Sequence, residues 1–210
     1  MTAIVQALFM DVGGGAGGTG WVANGNAAVI SNGALTVSMP NSANASLPVL
    51  WYSGTSSAKW YWEMQLAIVG SETEEFDSFG IGNSSMTVAS GHPVGGDANG
   101  WGYEMQGFAP GAAHGYGVHN ASFTSDYTLG FGNGSIVMVA LDMVNGKVYF
   151  GVGGTWANSG NPVAGTGYIY SGLSGTLYPA AAVASNTSQN SWTMQTSNTY
   201  TIPSGFSYIG

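Results

Sequence analysis

The sequence predicts an all-β fold, an antiparallel sandwich of the jelly-roll kind with almost no helix. Three observations lead there. Large apolar residues recur at every second position in several segments, Gly and Asn punctuate those segments, and none carries a sustained helical pattern with caps.

The first 30 residues stand apart. The apolar run that opens the chain is followed by Gly13-Gly14-Gly15-Ala16-Gly17-Gly18, a composition suited to a hinge. Residues 1–30 are therefore expected to form an N-terminal arm or docking segment, and 31–210 the sandwich. The opening residues lack the basic region of a secretory signal.

Strands are expected next at 34–39 and at Trp60 to Ile68. In the latter Trp60, Trp62, Met64, Leu66 and Ile68 share one face, while Glu63, Gln65 and Ala67 share the other. Further strands are expected at 78–82, 100–105, 115–119 and 177–184. Ile136 to Leu141 is an unbroken apolar run, which suits a strand buried on both faces. Asn145-Gly146 follows, then Lys147 to Val152 with Val148, Phe150 and Val152 alternating. Asn-Gly tolerates positive φ, so a β-hairpin is expected there.

Composition narrows the function. Charged residues are 6% of the 210, against roughly 25% in ordinary soluble proteins. There are two basic residues, Lys59 and Lys147, and the net charge is −8. Neutralising a phosphate backbone takes clustered Lys and Arg, so nucleic acid and anionic membrane surfaces are not expected partners. Cysteine is absent, which removes disulfides, thiolate metal sites and thiol nucleophiles together.

Several strands in series resemble the SPRY family. The carrying pieces are Lys59-Trp60-Tyr61-Trp62-Glu63, Phe79-Gly80-Ile81-Gly82, Gly100-Trp101-Gly102-Tyr103, the stretch from Ile136 to Trp156 (IVMVALDMVNGKVYFGVGGTW) and Leu173-Ser174-Gly175-Thr176-Leu177-Tyr178-Pro179-Ala180. Two departures are visible. Gly153-Gly154 stands where the family has Asn-Gly, and the family's closing strand is replaced by something like Ser191 to Gln195. The resemblance implies a concanavalin-like sandwich whose loops at one end bind peptides or other ligands, without shared catalytic residues. The Gly-, Asn- and Thr-rich flavour, including Gly160-Asn161-Pro162-Val163-Ala164-Gly165-Thr166-Gly167, looks like that of tailed-phage structural proteins.

A search for chemistry finds no complete set. Glu75 and Asp77 share the first spacing of a glucanase carboxylate motif, but no third carboxylate follows, so a solvated loop is expected. His92, His114 and His119 lack nearby acidic residues that would complete a metal site. Asp97-Ala98-Asn99-Gly100 has alternating oxygen ligands but no later Glu, and reads as a turn. No metal, cofactor or enzymatic activity is expected.

Exposed aromatics can anchor partners or stack on sugars. Trp21, Trp51, Trp156 and Trp192 lie near Gly, Ser or Asn clusters, and Trp101 begins a strand. These five are the candidate contacts, against the usual burial of tryptophan. The expected function is a non-enzymatic bacteriophage structural protein on the virion exterior: a capsid-decoration, head-fibre or tail-associated subunit. Its expected partners are other virion proteins, copies of itself and a host surface glycan. A lectin-like carbohydrate- or peptide-binding module is the alternative. A degenerate glucanase relying on Glu75 and Asp77 comes third.

Overall fold

The computed structural model describes residues 20–22, 28–38, 47–51, 58–68, 77–87, 93–106, 114–183 and 190–209. In chain order its strands are β1 (Trp21–Val22), β2 (Val29–Ser31), β3 (Thr36–Ser38), β4 (Leu47–Trp51), β5 (Lys59–Ala67), β6 (Ser78–Gly82), β7 (Gly100–Gln106) and β8 (His114–His119). Then come β9 (Ser122–Asp126), β10 (Ile136–Asp142), β11 (Lys147–Val152), β12 (Thr155–Trp156), β13 (Tyr170–Ser171), β14 (Tyr178–Val183), β15 (Ser191–Met194) and β16 (Ser207–Tyr208). One 3-10 turn, Ala157–Ser159, is the sole helical element among the described residues.

Two sheets form the sandwich. The first runs β1-β4-β14-β6-β7-β8-β9; the second runs β12-β11-β10-β5-β15-β3-β2, with β13 and β16 attached to β11 and β5. Alternation decides which side of each strand goes inward. From β5 come Trp62, Met64 and Leu66, from β10 Val137, Val139 and Leu141, and from β11 Val148, Phe150 and Val152. They meet Phe79, Ile81, Tyr103 and Met105 of the first sheet in one core. Trp192 of β15 joins Phe79 and Phe131 there, with ring centroids 5.8 and 5.7 Å away. The replacement strand expected near Ser191 is thus formed, and its side chains fill the middle of the sandwich.

The arm expected over residues 1–30 is in part woven into the sheets. β1 pairs antiparallel with β4, and β2 with β3. Residues 1–19, including the Gly-rich hinge, lie outside the described residues.

The expected hairpin forms, with a longer connection than Asn-Gly alone suggests. Asp142 pairs with Lys147, leaving the four-residue loop 143–146. Asp142 explains the length: its Oδ1 accepts the amides of Val144 and Asn145 at 3.1 and 3.0 Å, and its Oδ2 accepts the Asn145 amide group at 2.8 Å. The carboxylate holds the loop open, so only Gly146 needs positive φ (60°).

Both sheets also have covered outer faces. Over the first, Met86 and Val94 from the 83–99 segment pack on Ala180 and Ala182. The loop approaches the strands closely: a Cβ on Gly102 would fall 1.9 Å from the Val94 carbonyl oxygen. Over the second, Phe206 lies with Tyr61, Met138, Ala140 and Tyr149. This is why Glu63, read from alternation as facing away from the core, is nevertheless fully buried.

Candidate functional site

Among the described residues no three His, Cys, Asp or Glu side chains gather as metal ligands. His114 and His119 are five apart on β8, which pairs with β7 in unbroken register, so they project from opposite faces. The extra residue of the edge hairpin is on β9, opposite Tyr116 to Val118. Across that hairpin His114 Nδ1 meets Asp126 Oδ2 at 2.5 Å, an acidic partner that sequence proximity did not reveal. His92 lies outside the described residues.

The carboxylates divide in the same way. Residues 69–76, with Glu75, are outside the described set. Asp77 corrects the expectation of a solvated loop: it is fully buried, and its Oδ2 accepts the Asn190 amide group at 2.7 Å. Asp97 closes a turn, its Oδ1 accepting Asn99 N at 2.8 Å and its Oδ2 accepting Thr87 N at 2.7 Å. Partial burial pushes that carboxyl up, and these donors outweigh it, so the net shift is below the ordinary carboxylate value.

The five tryptophans part company. Trp21 is buried and donates its indole N–H to the Leu35 carbonyl at 2.8 Å. Trp192 is fully buried and donates to the Ala182 carbonyl at 3.1 Å. Neither presents ring surface to a partner in this structure. Trp51 closes β4, paired with Trp21 in register, and its side chain is outside the described set. Trp101 and Trp156 remain half-buried at the surface.

Trp101 belongs to an aromatic cluster that the register assembles. It is the second residue of β7, directly opposite His119, the last residue of β8, and the two rings stack at 4.8 Å and 8°. His119 Nδ1 lies 2.7 Å from the Gly100 carbonyl, which can only accept, so Nδ1 donates there and Nε2 is the ring nitrogen left to carry the lone pair of the neutral tautomer. Tyr170 of β13 meets His119 edge-on at 6.0 Å and Phe150 at 6.4 Å, so it bridges the sheets. Burial pushes the Tyr170 phenol above its ordinary range. Glycine makes room for it: a Cβ on Gly117 would lie 2.7 Å from the Tyr170 hydroxyl. Ring faces, one imidazole acceptor and loop backbone at one end of a rigid sandwich can recognise a ligand by stacking and hydrogen bonding.

Trp156 sits elsewhere, on the outer face of the second sheet. It meets Tyr61 edge-on at 6.2 Å and Tyr149 at 6.5 Å. Nearby, Lys147 lies over the Tyr168 ring at 4.8 Å.

Two antiparallel sheets with covered faces, and an aromatic cluster where strands give way to loops, define a β-sandwich of the scaffold class. The family follows from the sequence match: the SPRY domain model matches residues 59–196, and the chain belongs to that family. Among solved structures the chain is similar to the SPRY domain of human HERC1, with a TM-score of 0.58 and 16% identity over 83% of this chain and 96% of that one. It is also similar to the TRIM65 PSpry domain, with a TM-score of 0.59 and 12% identity over 85% of this chain and 90% of that one. At such identities these likenesses speak to the fold alone. No curated protein sequence matches the chain. Family membership makes protein binding the coarse functional class.

Proposed function

We propose that this domain is a non-enzymatic, protein-binding module displayed on the exterior of a bacteriophage particle, as a capsid-decoration, head-fibre or tail-associated subunit. The observation that carries the binding role is the half-buried Trp101–His119 stack with Tyr170 beside it. It offers aromatic surface and a hydrogen-bond acceptor on a scaffold held rigid by two sheets. Support for the virion setting is compositional. A 6% charged fraction leaves Gly, Ser, Thr and Asn to solvate the surface, as in exterior structural proteins.

The test is attachment of the purified chain to candidate parent particles. Trp101→Ala should weaken a real contact about tenfold or more while leaving the fold intact. Removal of residues 1–18 separately asks whether the arm docks the domain. Attachment unchanged by both would sink this reading.

A lectin-like role is the second reading, favoured by half-buried Trp156 and exposed Tyr168, whose rings both meet Tyr149. Glycan-array binding lost in Trp156→Ala would support it, and a parent chain silent on the array would remove it.

A further inference from the structure

The outer face of the second sheet is covered by the chain's own residues 195–209, and the manner of attachment is unusual. After β15 the chain leaves the sheet, crosses the face and returns as β16, which pairs parallel with β5 at Trp60 and Tyr61. This is the one parallel pairing among the described strands. Residues 196–199, where the crossing begins, are exposed. Phe206 and Ile209 are buried, and Tyr200, Ile202 and Tyr208 pack partly against Tyr61, Met138, Ala140, Tyr149 and Trp156 or the core. From 195 to 209 the segment contains no charged side chain.

One carboxylate organises the attachment. Glu63 is fully buried; its Oε2 accepts Thr199 N at 2.7 Å, and its Oε1 accepts Tyr200 N at 2.8 Å and the Tyr61 hydroxyl at 2.6 Å. The Glu63 carbonyl also accepts Gln195 N at 3.0 Å. Two of the carboxylate's three donors are consecutive main-chain amides at a bend, so this anchor reads backbone rather than particular side chains. The ringed surface beneath has an unfilled position as well: the Tyr149 hydroxyl is buried and has no hydrogen-bond partner.

We propose that this face is a docking site for an uncharged peptide bearing aromatic side chains, that residues 195–209 occupy it as a releasable strap, and that Glu63 is the latch. The occupant's chemistry is read from the strap itself: consecutive backbone N–H groups for the carboxylate, and aromatic rings for the surface around Tyr61 and Trp156. The site is distinct from the Trp101 cluster and does not depend on it.

Hydrogen exchange on the intact chain gives the first test. The amides of Thr199, Tyr200 and Ile209 should exchange at least tenfold faster than those of β10, because the strap opens without the sandwich unfolding. Exchange at the β10 rate would make the strap a fixed part of the core and overturn the proposal. Tyr200→Pro then removes one latching N–H in the full-length chain. This variant should bind a synthetic peptide spanning residues 196–209, and addition of Glu63→Gln should weaken that binding at least tenfold. A Tyr200→Pro chain with an opened strap that ignores the peptide would likewise overturn it. Should that variant fail to fold, exchange in the native chain still decides.

Discussion

The Lys59 ammonium lies 2.8 Å from the Asp142 carboxylate, and Asp142 is the register partner of Lys147 on its other side. Both basic residues of the chain thus flank one buried acid. Lys59 is a quarter exposed while Asp142 is fully buried, so the acid has most to lose if the arrangement breaks.

Burial pushes the Asp142 carboxyl up, but Lys59 and the Asn145 donors outweigh it and hold it below its ordinary value. A folded value below the unfolded one stabilises the fold above about pH 4. That stability is lost as pH falls through the lowered folded value. Urea titrations should therefore show Asp142→Asn with a flatter acid limb than the parent. Asp142→Ala, which also strands the Val144 and Asn145 amides, should lose about 3 kcal/mol at neutral pH.

Trp192 and Trp156 should behave as opposites. Trp192→Ala empties the centre of the core and removes the indole donor from the Ala182 carbonyl, for about 3–5 kcal/mol. Trp156→Ala, at a half-buried position, should cost clearly less. Denaturant midpoints of the two variants check the contrast, and equal losses would refute it.

Gly115 leaves no room for a methyl group. A Cβ there would fall 2.1 Å from the Tyr103 hydroxyl, which donates to the Leu129 carbonyl at 2.8 Å. Gly115→Ala should cost about 1–3 kcal/mol, read as a lowered melting temperature. Gly134→Ala, with nothing within 4 Å of the added atom, should show only the strain of its positive φ.

The Asp97 turn gives a local prediction. Asp97→Ala frees Thr87 N and Asn99 N and should cost about 1–2 kcal/mol. Because the Asp97 carboxyl is held low, its contribution also fades as pH falls through that lowered value. Amide exchange near Thr87 and Asn99 should rise, while that of β10 should not.

What could be read from the sequence followed its range of influence. Period two and unbroken apolar runs are local signals, so β5, β6, β7, β8, β10, β11 and β14 were legible to within a residue or so. β1, β12, β13 and β16 are two residues long and carry no period at all. The loop length after β10 escaped because Asp142 sets it, not Asn145-Gly146. Trp192 stood among the candidate contacts because its neighbours are Ser and Asn, which say nothing about the core opposite. Glu63 is buried by amides 136 and 137 residues away, and no local pattern reports such a partner. The Trp101–His119 stack needs the β7–β8 register, which is invisible until the strands are paired.

The close approach of the 93–97 loop to the first sheet has a consequence for variation. Gly95 and Gly102 bring main chain against main chain, with the Val94 and Val118 carbonyls where side chains would stand. The loop's height above the strands is therefore set by peptide geometry. Replacement of the exposed Ala98 beside it can repaint that surface without moving it, provided that these two positions stay bare.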